Sequence, residues 1–491
     1  MKLSDLARYI PGSRLIGSGD AEVLRAVHDS RRVRTGDLFV ALPGTKIDGH
    51  QFVQRALEAG AEAAIVEKPV ELPGRPALLL VPDAHAALSL AAHALVGNPT
   101  RRLKVCGVTG TSGKTTTTYL VRGIFEKAGW PTGILGTIAY LIGRREIPAN
   151  MTTPDGNELA AYFAEMVESG LRAAVMEVSS HALHQRRTAG IHFDVAAFTN
   201  LSEEHREYHK NMEEYRDAKG LLFKGLDEQA WSVLNADDEV SRFYADPARA
   251  GRTIWYGLKH KRDIAAEDIQ ASLAGSRFTL ITPRGRTAVR MPLLGMHNIL
   301  NGLTAAGVGE ALGLPLEAIA AGLESVQTVR GRLELVPTDR PVSVLVDYAH
   351  KTDALQHSLS AVRELMHGRG RLIAVFGCGG DRDRPKRPAM AAVAEELADR
   401  VIVTSDNPRS EPPQAIADEI VKGFESMRKV TVEIDRRAAI ALAIGEAQPG
   451  DVVVIAGKGH ETYQIIGAVT RPFDDREVAA EILNGLASHT G

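Results

Sequence analysis

The chain has 491 residues, 58 Lys plus Arg against 61 Asp plus Glu, and a formal net charge of −3, with 44% hydrophobic and 24% charged residues. This balance describes a soluble globular protein of about three domains at roughly 150 residues each, and it excludes a generic nucleic-acid or polybasic membrane binder. Only 5% of residues are aromatic and two are cysteines, which speaks against base-stacking platforms, a disulfide scaffold and a structural zinc ribbon.

Residues 1–98 mix short β-type runs (LFVAL, AAIVE, ALLLV) with alanine-rich helical runs. The first residues, MKLSDLARYIPG, lack the apolar stretch of a signal peptide, and no run of about 18 apolar residues predicts a membrane helix. Gly97-Asn98-Pro99 reads as a turn and linker. KVCGVTG then reads as a buried strand, followed by a glycine-rich turn and a helix from about Lys114 to Ala128 that Gly129 stops. Further strands are expected at AAVMEV, DVAAFT and WSVLN, with helices near 157–169 and 212–226. This alternation predicts a mainly parallel sheet. Between 265 and 293, IQASL, RFTLIT and TAVRMPL predict a small antiparallel patch, and helices follow from about 297 to 325. Beyond Arg332, VSVLVDY, LIAVFG, VIVTSD, VTVEI and VVVIAG predict a second doubly wound unit, with ligand-facing loops at the carboxyl ends of its strands. Cys106 and Cys378, in or just after apolar strands, read as small buried hydrophobes.

Gly110-Thr111-Ser112-Gly113-Lys114-Thr115-Thr116 lies between a strand and a helix. Glycines admit backbone N–H groups to phosphate oxygens, and the helix N-terminus favours an anion. Lys114 is suited to β- and γ-phosphates and the Thr115 hydroxyl to magnesium. Val108 stands where the standard phosphate loop has glycine, so this is a variant loop, and it predicts nucleotide binding.

Glu177, in Glu177-Val178-Ser179-Ser180-His181, ends an apolar strand, a good place for a magnesium carboxylate. The run Asn200-Leu201-Ser202-Glu203-Glu204-His205 follows another strand in the same way. By themselves both stretches also suit ordinary surface loops. His205 and His209, spaced i, i+4, suggest zinc only weakly without an HExxH pattern. Ser179 has no nucleophile elbow around it. Lys219, in EEYRDAKGLLF, reads by itself as a solvated helical charge.

In combination, GTSGKTT, EVSSH, NLS-x-x-H-x-x-YH, AK-G-LLF, HN-x-x-N, GR, DYAH and DNPR occur in the order seen in the Mur ligase family, and the chain resembles that family over essentially its whole length. Within the family the resemblance is to the members that add the third amino acid. It implies an α/β chain of three domains: a small amino-terminal α/β domain for the UDP end of the substrate (1–98), a central P-loop-type ATPase with a mainly parallel sheet (99–331), and a Rossmann-like domain that brings the amino acid (332–491). It further implies a cytoplasmic monomer with no nucleic-acid partner and no membrane insertion. The implied activity is ATP-dependent addition of meso-2,6-diaminopimelate to UDP-N-acetylmuramoyl-L-alanyl-D-glutamate through an acyl phosphate, in peptidoglycan precursor synthesis.

Carried over by motif, the resemblance implies that Gly110, Thr111, Ser112, Gly113, Lys114, Thr115 and Thr116 cradle ATP. Asn298, Asn301, Arg332 and Asp347 contact the nucleotide or connect the domains around it. Mg2+ is held by Thr115, Glu177, His205 and Lys219, the last as a carbamate derived from CO2. Thr152, Thr153, Ser179, Gln185 and Arg187 hold the muramoyl-dipeptide, and Ser30, Thr45, Lys46 and Ile47 line the uridine-nucleotide pocket. Arg382, Asp406, Asn407, Pro408, Arg409, Gly457 and Glu461 take diaminopimelate. Arg409 is suited to grip the distal carboxylate that lysine lacks, since guanidinium binds carboxylate bidentately. In the family DNPR goes with diaminopimelate, whereas lysine-adding members carry another tetrapeptide. Three departures stand out: Glu204 in place of an aspartate, Met151 in place of an asparagine, and Lys351-Thr352 where the family has Thr-Pro. The alternatives are a lysine-adding ligase, a folylpolyglutamate synthase, a non-catalytic nucleotide-binding scaffold and, remotely, a zinc hydrolase.

Overall fold

A computed structural model describes residues 1–44, 47–74, 76–203, 208–246 and 251–487. By its internal contacts the chain divides into two compact units. The first comprises Met1–Ala266, Leu280–Thr287 and Leu300–Leu323, and the second Glu267–Thr279, Ala288–Ile299 and Glu324 onward.

The first unit holds two sheets. One has five strands in the order Arg14–Ile16, Ala77–Leu80, Ala63–Val66, Asp37–Val40 and Arg25–Val27, parallel except for the first pair. The other has eight, in the order Thr253–Tyr256, Trp231–Asn235, Val195–Phe198, Lys104–Thr109, Ala173–Glu177, Thr132–Leu135, Ala139–Ile142 and Arg145–Pro148. Its first six strands run parallel and the last two fold back as an antiparallel hairpin. Beyond Lys104, every residue of the strand Lys104–Thr109 is buried. A parallel strand covered on both faces needs such a continuous apolar run. The helix Gly156–Glu168 buries Leu159, Ala160, Phe163 and Met166, one stripe at helical spacing. It lies against the helix Ala84–Leu95: the Ser89 hydroxyl leaves no room for a Cβ at Gly156 and donates to the Arg186 carbonyl at 3.0 Å. Gly97-Asn98-Pro99 leads into a short 3-10 turn, Pro99–Arg102, in which Pro99 and Thr100 are buried.

At this helix pair His93 is fully buried and both ring nitrogens lack a hydrogen-bond partner. Burial pushes its pKa down to about 4. A folded-state value below the unfolded one means that protonation favours unfolding. The contribution is complete above pH ~6.5 and is lost as pH falls toward 4, about 2 kcal/mol of it at pH 5. His93→Leu is therefore expected to reduce the stability lost between pH 7 and pH 5. Urea unfolding midpoints at the two pH values check this, and an equal loss in variant and parent would refute it.

The second unit is built on a six-stranded sheet in the order Glu334–Leu335, Ser343–Asp347, Val452–Ala456, Leu372–Phe376, Arg400–Val403 and Val430–Val432. All its pairs are parallel except the first. One apolar cluster, with Leu345, Phe376 and Val403, fills one face, and another, with Val344, Val375 and Ile402, fills the other. A hairpin, Tyr463–Ile466 with Val469–Pro472, follows. The strands Ala265–Ser272, Gly275–Thr282 and Gly285–Met291 form the expected small sheet. Two-residue connections join them, a length open only to antiparallel neighbours. The helices Met296–Ala311 and Leu316–Ser325 follow, as the periodicity predicts.

Candidate active site

Parallel register brings the chemistry of the central sheet to one edge. Glu177 is level with Val108 and Phe198 with Thr109, so the loop that starts at Gly110, the Glu177 carboxylate and the Thr199-Asn200 loop leave the sheet side by side. Gly110 has φ +148° and Gly113 φ +85°. A Cβ on the first would strike the Thr199 hydroxyl and one on the second the Asn301 amide oxygen, so both positions require glycine. Asn200 threads the loop: its carbonyl accepts from Thr111 N at 2.8 Å and its Oδ1 from Ser112 N at 3.0 Å. Thr199 Oγ1 donates to the Ser112 carbonyl at 2.6 Å. The helix Lys114–Lys127, with Thr115 and Thr116 buried in its first turn, starts from Gly113.

Two lysines meet on one carbonyl. Lys114 Nζ donates to Gly110 O at 2.8 Å and to Thr111 O at 2.7 Å. Lys219 Nζ donates to the same Gly110 oxygen at 2.8 Å and stands 4.4 Å from the Tyr215 ring centre. Lys219 is 1% exposed, so the sequence-only reading of a solvated charge is wrong. The helix Met212–Lys224 turns that face inward along with Tyr215, Ala218 and Leu222, and the aliphatic stem packs with them.

Glu177, also 1% exposed, is equally far from a surface-loop residue. Its Oε2 accepts from Thr115 Oγ1 at 3.1 Å and from Thr137 Oγ1 at 3.0 Å, and its Oε1 accepts from Thr137 N at 2.8 Å. A buried carboxylate beside a hydroxyl at the end of a phosphate loop is a hard-oxygen donor pair of the kind Mg2+ takes. Among the described residues no group of three or more His, Cys, Asp or Glu could hold a metal. A magnesium here would therefore draw its remaining oxygens from elsewhere, phosphate included, as Mg2+ sites commonly do. His205 and Glu204 lie outside the described residues. His209 is buried, with Nε2 3.0 Å from Ser180 Oγ.

The hydroxyls and amides expected to hold the muramoyl-dipeptide form one connected cluster. Thr153 Oγ1 donates to Glu177 O at 2.9 Å and accepts from Ser179 N at 3.0 Å. Ser179 caps the short helix Ser180–His184 by accepting from Ala182 N. Arg187 donates to Gln185 Oε1 at 2.6 Å and to Thr153 O at 2.9 Å, and pairs with Asp155 at 3.2 Å. Thr152 Oγ1 lies 3.1 Å from Thr137 Oγ1, which joins this cluster to Glu177. Met151, where the family pattern has asparagine, turns its sulfur to Arg187 Nη1 at 3.2 Å. At the expected uridine pocket, Ser30 opens a 3-10 turn capped by Asp29. The Arg31 guanidinium holds the Asp29 carboxyl down to about 2. Ile47 is exposed, and Thr45 and Lys46 lie outside the described residues.

Asn301, in the first unit, places Oδ1 3.4 Å from Thr117 Oγ1 beside the phosphate loop. Asn298, in the second, donates Nδ2 to Leu294 O at 2.8 Å. Asp347 is buried with both oxygens engaged: Oδ2 accepts from Leu333 N at 2.7 Å, and Oδ1 from Ala349 N and Ser358 Oγ at 2.9 Å each. Burial raises its pKa against the pull of Arg332 and these donors. Its carboxylate thus ties the strand end to the segment after Arg332, within the second unit. Lys351 takes an extended N-cap conformation and the helix still starts at Thr352, so the missing proline does not unmake this turn. His350 donates from Nδ1 to Tyr348 O at 2.9 Å, and Tyr348 also packs on His460, ring centres 4.6 Å apart.

In the second unit Asp347 is level with Ala456 and Phe376 with Val403, so the loops at 377–382, 405–409 and 457–461 open at one edge. Arg409 has φ +52°, and its backbone is bridged to the hairpin: Arg409 N donates to Ile465 O at 3.1 Å and Gly467 N to Arg409 O at 2.7 Å. Its Nη1 donates to Gly380 O at 2.9 Å. A Cβ on Gly379 would meet Arg409 Nη1 and Arg382 Cγ, so the two arginines flank this glycine. Arg382 is exposed. Pro408 is buried, its carbonyl so close to Gly380 that a Cβ there would overlap it. Asp406 is 6% exposed and its Oδ1 accepts no hydrogen bond. A Cβ on Gly457, at φ +120°, would come within van der Waals distance of the Asp406 carboxylate, and Asn407 Nδ2 donates to Glu461 Oε2 at 2.7 Å.

Three family models match the chain: the Mur ligase family catalytic domain at residues 26–102, the Mur ligase middle domain at 108–309, and the Mur ligase glutamate ligase domain at 331–459. The chain is 46% identical over 489 residues to the UDP-N-acetylmuramoyl-L-alanyl-D-glutamate–2,6-diaminopimelate ligase of Geobacillus kaustophilus (strain HTA426), covering 98% of each chain. It belongs to the Mur ligase family. The ligase of the same name from Geobacter metallireducens is 45% identical, with 99% of each chain covered. A solved structure of a ligase with that name superposes with a TM-score of 0.75 at 32% identity, over 100% of both chains. As a member, the chain is an ATP-dependent, amide-bond-forming ligase.

Sequence reasoning missed Thr137, Thr199 and Lys458. Thr137 has no motif of its own. Gly136 before it was a usable signal, since a Cβ there would strike Glu177. Thr199 ends an apolar strand, and Lys458 lies between two glycines, each a position where a ligand loop places side chains. Both cysteines are buried as expected, and burial pushes the Cys378 thiol up to about 12. Among the described residues no helix is long and apolar enough to cross a membrane.

Proposed function

We propose that this Mur ligase joins meso-2,6-diaminopimelate to UDP-N-acetylmuramoyl-L-alanyl-D-glutamate at the expense of ATP, in the cytoplasmic synthesis of peptidoglycan precursors. What carries the reading is one strand-end edge that gathers a buried, unsatisfied Asp406 oxygen, the Asn407–Glu461 pair and the Arg409 guanidinium, in a chain whose full-length relatives bear that ligase's name. Such a set suits a ligand centre with both an ammonium and a carboxylate. The domains are taken as 1–98 for the UDP end, 99–331 for ATP and 332–491 for the amino acid.

A carboxylate is a poor acyl donor because oxide would have to leave. Transfer of the γ-phosphoryl group to it makes an acyl phosphate and ADP. The substrate amine then attacks the acyl carbon, phosphate leaves and the amine proton passes to solvent or a base. In the first step positioning and charge neutralisation dominate. Backbone N–H groups of Gly110–Thr116 and Lys114 take the phosphates, with Asn301, Asn298, Arg332 and Asp347 around the nucleotide. Thr152, Thr153, Ser179, Gln185 and Arg187 orient the muramoyl-dipeptide, with Ser30, Thr45, Lys46 and Ile47 at the uridine end. Arg382, Asp406, Asn407, Pro408, Arg409, Gly457 and Glu461 receive diaminopimelate. Mg2+ would be held by Thr115, Glu177, His205 and carbamylated Lys219, and when bound it neutralises charge on the transferring phosphoryl group. The burial of Lys219 at the loop's Gly110 carbonyl supports carbamylation, in which Nζ adds to CO2 and releases a proton.

Phosphate release with ATP, magnesium, bicarbonate and the UDP-muramoyl-dipeptide tests the reading. Release with meso-diaminopimelate and at most a trace with L-lysine is expected. Release with lysine instead would make this a lysine-adding ligase, and release with neither would overturn the substrate assignment.

A further inference from the structure

Lys458 is a fully buried cation that no step above uses. It follows the strand Val452–Ala456 and sits between Gly457 and Gly459, both at positive φ. Gly459 packs so closely on Tyr348 that no side chain fits there, which pins the loop and drives the lysine inward. Its ammonium reaches three of the residues assigned to the amino acid. Nζ donates to Asn407 Oδ1 at 3.2 Å and to Glu461 Oε2 at 3.2 Å, and lies 3.8 Å from Asp406 Oδ1. The Tyr463 ring closes the far side at 5.5 Å.

These contacts decide which way Asn407 faces. Its Oδ1 accepts from Lys458 Nζ and, at 3.0 Å, from Ile465 N, so its Nδ2 must point to Glu461 Oε2. A closed triangle of Lys458, Asn407 and Glu461 results. Both of its bonds to Glu461 use Oε2, and neither uses Oε1. The same cation is the near neighbour of the Asp406 oxygen that accepts no hydrogen bond. Two carboxylates close together in a buried pocket repel each other, and an ammonium between them offsets that repulsion while holding both oriented.

We propose that Lys458 is the positioning residue of the amino-acid pocket: it sets the rotamers of Asn407 and Glu461 and balances Asp406, so that the pocket is preformed for a ligand with an ammonium and a carboxylate on one carbon. This rests on the reading that the 405–409 and 457–461 loops bind the amino acid. A side chain that acts only through this pocket affects binding of one substrate of three. A preformed site loses affinity when its supporting contacts go, without any change in what touches the ligand.

The test is steady-state kinetics of Lys458→Met and Lys458→Gln, with each substrate varied in turn and with urea unfolding of both variants. Met keeps the length and removes charge and donors, whereas Gln keeps an N–H donor for Asn407 Oδ1. For K458M a rise in KM for diaminopimelate of about 30-fold or more is expected, with KM for ATP and for the UDP-muramoyl-dipeptide within about twofold. K458Q should recover part of that rise. An unchanged KM for diaminopimelate, or equal rises for all three substrates, would overturn the proposal, as would failure of both variants to unfold cooperatively, which would make Lys458 a residue of the core. If the parent enzyme releases phosphate only with another amino acid, the substrate reading fails, and the same KM comparison with that amino acid still decides the role of Lys458.

Discussion

Lys114→Met is expected to lower ATP-dependent phosphate release by about 100- to 1,000-fold while the protein stays folded. The magnitude is that of removing one preorganised charge from a phosphoryl-transfer site. Lys114 holds the carbonyls of Gly110 and Thr111, so its ammonium stands within the loop it is to serve. Lys219 shares the Gly110 carbonyl but is buried under the Tyr215 ring, and it is not free to replace Lys114. The side chain of Lys114 is only partly buried, so stability changes little. Phosphate release at saturating substrates, beside a thermal unfolding curve, makes the measurement. Activity within about tenfold of the parent would show that the loop binds phosphate through its backbone alone.

Arg409→Ala is expected to reduce kcat/KM for diaminopimelate by about 100-fold or more and to leave KM for ATP near the parental value. Losing a charge-assisted, fork-shaped contact to a carboxylate costs about 2–4 kcal/mol when the site excludes water. The discrimination against lysine should shrink with it, because lysine has no carboxylate for the guanidinium to bind. Arg409 stands at φ +52°, where the Cβ of arginine and of alanine carry the same backbone strain of about 1 kcal/mol, so Arg409→Ala adds none. Arg409→Gly removes the side chain and relieves that strain. Equal losses in the two variants assign the effect to the guanidinium, whereas a glycine variant with normal kinetics would refute its grip on the carboxylate. Arg409→Lys keeps the charge but not the fork and should recover little.

Most strands were legible because a parallel strand covered on both faces must be apolar throughout, and runs such as KVCGVT and VVVIA have few other readings. The phosphate loop was legible because its glycines, lysine and helix are contiguous. The hairpins at 139–148 and 463–472 were not expected: Ala139–Ile142 is apolar but only four residues long, and the other three strands are largely exposed and mix polar with apolar residues, so no period stands out. Yet the second of them holds Arg409 in its left-handed conformation.

The sequence by itself determined the fold class, the order of the core strands and helices, the family and the loops that carry the chemistry, since each of these is written in contiguous residues or short spacings. It left Lys219 looking solvated and Glu177 open between a magnesium ligand and a surface-loop carboxylate, and gave Lys458 and Thr137 no role. Burial decided those. Lys219 and Gly110 are 109 positions apart, and Asn407 and Lys458 are 51 apart. Only the register of parallel strands brings such residues to one edge, and a charge withdrawn from water there must be held by partners that no local pattern announces.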